Sequence, residues 1–134
     1  MKKIILYGFQ DFKGIMQAAS IGQKMASFGV EIRTVGPSEH GRSIGSLALE
    51  KEMSTPHKAG TFNKEDLPVR MLVFCGFGDE ELDAALAICR SAGITGEDLK
   101  AVLTPDNASW SGEKLCRELV SEHNEMKKTG NTIL

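Results

Sequence analysis

Gly8-Phe9 is followed 68 residues later by Gly76-Phe77, and the echo does not stop there. At the same offset Asp11 is matched by Asp79, and Pro37 by Pro105. Ser43, Leu47 and Glu50 are matched by Ser111, Leu115 and Glu118. Gly29 and Gly93, which look like the stops of two long helices, are out of step by a few residues. We read the echo as a structural duplication. It constrains the fold strongly, because whatever order of elements the first half adopts, the second must repeat.

That order can be read from punctuation and periodicity. Ile4–Gly8 is an apolar run closed by glycine, as a buried strand would be. Asp11 can cap a helix over about 12–28, with an apolar face of Ile15, Ala18/Ala19, Gly22 and Met25/Ala26. Glu31–Val35 alternates as a second strand, and Gly36-Pro37 ends it. After a loop over 38–42, Ser43–Glu52 suits a short helix that docks through Leu47 and Leu49. The second half begins with Arg70–Gly76, the strongest strand signal in the chain. Asp79 then caps a helix whose buried stripe is Leu82, Ala85/Leu86 and Cys89. Leu99–Thr104 is a fourth strand, and Ser111 caps a last helix to about Lys127, with Leu115, Leu119 and Val120 facing inward.

These readings predict one α/β domain with a four-stranded sheet, built from a βαβα half over 1–50 and another over 70–127. The polar stretch 51–69, with Pro56, Gly60 and Pro68, reads as a mobile connector, and 128–134 as a frayed tail. Two such halves can form a mostly parallel sheet covered on both faces. They can also form a ferredoxin-like antiparallel α+β sandwich with helices on one face. The extra helix after each second strand favours the covered arrangement.

Composition excludes more than it assigns. A chain of 134 residues with 25% charged residues can bury a sizeable core without disulfides or metal. The net charge of −2 argues against a nucleic-acid or membrane-surface partner, which calls for a basic face. Cys75, Cys89 and Cys116 are widely spaced and form no CxxC pair, so they read as free, buried thiols of a reducing compartment. The N-terminal apolar run is too short for a signal peptide, and the expected location is the cytoplasm. His40, His57 and His123 show no metal-ligand spacing, and no cofactor is expected. Gly8-Phe9-Gln10 and Gly76-Phe77-Gly78 stand at strand-to-helix turns but match no nucleotide-loop pattern. Asp79, Glu80 and Glu81 would repel a phosphate at the second.

The segment with most chemical content is Thr104-Pro105-Asp106-Asn107-Ala108-Ser109-Trp110, between a strand and a helix. Asn107 can orient a small polar ligand stacked on Trp110, the single tryptophan, or it can brace the turn while Trp110 plugs the core edge. The equivalent loop of the first half carries Glu39, His40 and Arg42, which read as solvent-exposed and able to supply acid–base and anion-pairing groups. Cys75, at the end of a strand, reads as core rather than as a nucleophile.

From about Met71 to His123 the chain resembles a bacterial domain family of unknown function. The resemblance lies in Met71–Phe77, Asp79–Leu82, the Thr104-Pro105-x-Asn107-x-x-Trp110 pattern and the helix Leu115–His123. It implies that Asn107 and Trp110 are the functional positions. The first half has Glu39 and Arg42 in their place and does not repeat the pattern. Three readings follow. One is a binding module for a small polar ligand or peptide, with a regulatory role, using Thr104, Asn107, Trp110, His40 and Arg42. Another is a small enzyme using the same cleft, with His40 or Cys75 reactive. The last is a structural homodimer. The first two need the two proline-containing turns to share one rim.

Overall fold

The structure, a computed structural model, describes residues 2–49 and 69–129. The connector read over 51–69, Val69 apart, lies outside the described residues, as do Glu50 and the tail from Gly130. Four strands, β1 (Lys2–Tyr7), β2 (Val30–Val35), β3 (Met71–Cys75) and β4 (Leu99–Val102), form one sheet in the order β2-β1-β3-β4. Four α-helices accompany them: α1 (Phe12–Met25), α2 (Ile44–Leu49), α3 (Asp79–Ser91) and α4 (Gly112–Thr129). The fold is therefore α/β with a mixed sheet. The outer pairs β1–β2 and β3–β4 are parallel, and the central pair β1–β3 is antiparallel.

Alternation along the central strands separates two apolar layers, because successive side chains point to opposite faces. Ile4, Leu6, Leu72 and Phe74 pack with Ala18, Ile21 and Met25 of α1 and Ala85 and Cys89 of α3. Ile5, Tyr7, Met71, Val73 and Cys75 pack on the other face with Ile44 and Leu47 of α2 and Leu115 and Cys116 of α4. Helices on both faces and parallel outer pairs exclude the ferredoxin-like alternative. Each fully buried aliphatic side chain here contributes about 1.5–3 kcal/mol.

The backbone pairing repeats at the offset seen in the sequence. β1 pairs with β2, and β3 with β4, in the same register: Lys3 opposes Glu31, and Met71 opposes Leu99. Across the centre Ile5 opposes Val73, and an isolated antiparallel bridge joins Ser43 to Ser111. Both pairs are 68 residues apart, so each residue faces its own counterpart. Gly8 and Gly76 turn out of their strands with φ of 86° and 82°, in the left-handed region where a side chain would be strained.

Several local expectations need correction. α1 buries Gly14, Gln17, Ala18, Ile21 and Met25, whereas Ile15 is 53% exposed. The inward stripe is rotated because Gly14 lies against the Phe9 backbone, where a Cβ would come within 2.7 Å of its Cα, and Gln17 bonds across to Ala92. Leu49 points outward at 81% exposure, leaving Leu47 to dock α2. Asp79 is the first residue of α3 and Gly78 its N-cap. Glu81 Oε1 accepts from the Gly78 N–H at 2.8 Å. Lys128 and Thr129, read as tail, belong to α4.

Candidate functional site

After β2 and β4 the chain turns and crosses toward the centre of one sheet face. Because β1 and β3 are antiparallel, these turns leave from opposite ends of the sheet and do not share one strand-end rim. They meet instead where α2 and α4 begin. Gly45 N–H donates to Ala108 O at 2.8 Å, and Glu113 N–H donates to His40 O at 3.3 Å. These two bonds exchange into one another at the 68-residue offset. Ile44 N–H also donates to Trp110 O at 2.9 Å. Gly45 is needed at this approach, since a Cβ there would stand 2.9 Å from Ala108 O. The serines on the bridge cap the two helices alike. Ser43 Oγ accepts from Ser46 N–H at 3.3 Å, and Ser111 Oγ from Lys114 N–H at 3.1 Å.

The residues singled out in the sequence fall on the two sides of this crossing. Thr104 and Asn107 close their turn reciprocally. Thr104 N–H donates to Asn107 Oδ1 at 2.9 Å, and Asn107 N–H donates to Thr104 Oγ1 at 3.2 Å. Asn107 Nδ2 donates to Val102 O at 3.1 Å. The side chain of Asn107 therefore braces the loop through both its oxygen and its nitrogen. Trp110 is half-buried against the α2/α4 apolar layer, with the Lys114 ammonium 4.5 Å from its ring centroid.

On the other side, Arg42 Nη1 donates to Glu39 Oε2 at 3.1 Å, and Arg33 reaches both oxygens of the same carboxylate, at 2.9 and 3.3 Å. Burial pushes the Glu39 carboxyl up, but the bonds from Arg33 and then Arg42 outweigh it and hold it below its usual range. His40, expected in an exposed loop, is fully buried. Its ring turns inward to Tyr7, with centroids 6.0 Å apart. Tyr7 is also fully buried, and its Oη makes no hydrogen bond among the described residues. Burial first, then the neighbouring Cys75 thiol, drives the phenol well above its ordinary pKa. It stays protonated, a donor and acceptor held in an apolar layer. Gly112 lies over the ring: a Cβ there would stand 2.6 Å from Tyr7 Cζ and 2.9 Å from Oη.

Tyr7 and Arg33 are the residues that the sequence reading missed. Tyr7 is hidden in an apolar strand run, and only the alternation that puts it with Ile5 on the α2/α4 face could have pointed to it. Arg33 sits on an edge strand like any solvated side chain. The thiols lie where expected. Cys75, Cys89 and Cys116 are free and buried, and burial pushes the first two up to about 11. Among the described residues no group of His, Cys, Asp and Glu could hold a metal ion, and no helix is long and apolar enough to cross a membrane.

Neither a curated protein nor a solved structure matches the chain. Residues 70–126, less than half of it, match a family model described as a domain of unknown function, DUF3783; that stretch runs from β3 through the Asn107 turn into α4.

Proposed function

We propose that the protein is a binding module for a small polar ligand, with a regulatory role, and that its site is the crossing of the turns that follow β2 and β4. The observation that carries this reading is the Tyr7 hydroxyl, fully buried and without a hydrogen bond among the described residues, beside the buried His40 ring. An orphaned buried hydroxyl costs about 1–3 kcal/mol, and a ligand atom bonded to it would recover that cost. Arg42 and Glu39 stand on the same side of the crossing, and Trp110 with the Thr104–Asn107 turn on the other. In this reading Asn107 shapes the loop that presents Trp110, and its role is one of positioning. We further propose that the two halves arose by duplication, since strand register, the serine caps of α2 and α4, and the Gly45–Ala108 and Glu113–His40 crossing bonds repeat at 68 residues.

The protonated state of Cys75 favours binding over an enzyme that uses this thiol as nucleophile. The test is emission from Trp110 during titration with free amino acids, dicarboxylates and inorganic phosphate. Tyr7→Phe serves as the diagnostic variant. Removing an unsatisfied hydroxyl leaves stability equal or higher, while affinity for the responding compound should fall roughly tenfold, or about 1.4 kcal/mol. A silent tryptophan across the series, or affinity unchanged in Tyr7→Phe, defeats the reading.

A further inference from the structure

On the opposite face of the sheet, α1 and α3 leave a groove of about 240 Å³. Its walls are apolar: Met25 and Phe28 from the end of α1 and the turn after it, Phe77, and Ile88 of α3. The opening exists because α3 presents Ala84 and Ala85 there, where larger side chains would fill it. Phe28 remains 58% exposed, so the groove is unsealed.

The mouth is different in kind, being lined by Lys2, Glu80 and Glu81. Lys2 Nζ lies 2.8 Å from Glu81 Oε2, and the other Glu81 oxygen takes the Gly78 N–H. Glu80 has no ion pair or hydrogen bond among the described residues, and neither has Asp79 beside it on the first turn. Lys2 is paired with Glu81, so Glu80 leaves one negative charge in excess above the apolar floor, opposed only by the partial positive charge of the helix N-terminus. An anionic or zwitterionic occupant would meet repulsion at the rim, whereas a cation on an apolar body would match both parts.

We propose that this groove binds small primary amines carried on a compact aromatic or aliphatic body, the ammonium paired with Glu80 and the body against Phe77, Met25 and Ile88. The site is on the other sheet face from the crossing and does not depend on the function proposed for it. The experiment is calorimetric titration of the full chain with 2-phenylethylamine, 2-phenylethanol and 3-phenylpropionate, which share a body and differ in charge. The amine should bind saturably and one-to-one, the alcohol about fivefold more weakly, and the carboxylate not measurably; fivefold is about 1 kcal/mol, the scale of an exposed ion pair. Glu80→Gln should bring the amine down to the alcohol. Ala84→Leu, at an exposed helical position that tolerates leucine, should reduce amine affinity at least tenfold with the melting temperature held. Equal binding of all three compounds, no binding of the amine, or unchanged affinity in Ala84→Leu overturns the proposal. So does self-association in sedimentation that Ala84→Leu abolishes, which would make the groove a contact between copies.

Discussion

Residues 2–49 and 70–129 share a backbone plan and differ in almost every polar detail. The strand registers coincide, Gly8 matches Gly76 in φ, and Ser43 caps its helix as Ser111 does. Yet Glu39 is clamped by two arginines, where the equivalent Asn107 braces its own turn. The difference extends into the core. Tyr7 lies under Gly112, a large ring against no side chain, while the equivalent positions Cys75 and Ile44 divide volume the other way within the same apolar layer. The comparison teaches that hydrogen-bond geometry and apolar alternation are enough to repeat a fold, and that chemistry is set separately at each turn.

The size exchange is the sharpest point at which to break this comparison. Gly112→Ile should destabilise the protein by about 3 kcal/mol or more, because the ring cannot move out of a packed layer. Adding Tyr7→Cys re-creates the pair found in the other half and should recover most of the loss in chemical denaturation. If the double variant is no better than the single, the halves are not interchangeable in packing.

Next in size is the network that only the second half has. Arg70 bonds both oxygens of Asp98 at 3.0 Å, reaches Gln17 of α1, and stacks 4.5 Å over the Phe9 ring. Thr95 N–H adds a further bond to Asp98 at 2.9 Å. Asp98→Asn should cost about 2 kcal/mol at neutral pH, between the values for exposed and buried pairs.

Acid should test both halves together. Burial raises the Asp98 and Glu39 carboxyls, but the arginines beside each lower them further, so both have folded pKa values below their unfolded ones. Their stabilisation is present above about pH 4, the unfolded carboxylate range, and is lost as pH falls through the lower folded values. Glu39→Gln and Asp98→Asn should each flatten the pH dependence of the melting temperature below pH 4 and leave its form above that unchanged.

Asn107→Ala removes two side-chain bonds of the turn near solvent and should cost about 1 kcal/mol. The smallest effect expected is none at all: iodoacetamide at neutral pH should leave Cys75, Cys89 and Cys116 unmodified in the folded protein. A labelled Cys75 would revive the nucleophile reading.

Much of the fold was legible in residue order. Glycines at the ends of apolar runs, Asp11 before a helical pattern, and the 68-residue echo point to four strands and four helices, because these signals act within a few residues along the chain. The site was legible only in part. Thr104, Asn107 and Trp110 could be picked out, but whether Asn107 was free for a ligand depended on Val102 O lying within reach. His40 read as solvated because its neighbours are polar, and only the tertiary contacts, its ring against Tyr7 and the crossing bond from Glu113, show the loop folding inward.

Sequence alone therefore determined the order of the elements and the spacing of the echo between them, since periodicity and caps are local properties of the chain, while which side chains faced which apolar layer was read only in part. Tertiary structure decided that β1 and β3 run antiparallel, and with that the rest. The turns leave from opposite ends, cross over one face, and leave a tyrosine hydroxyl beneath them. That choice is made by how two apolar faces pack side by side across the sheet, and no local signal encodes it.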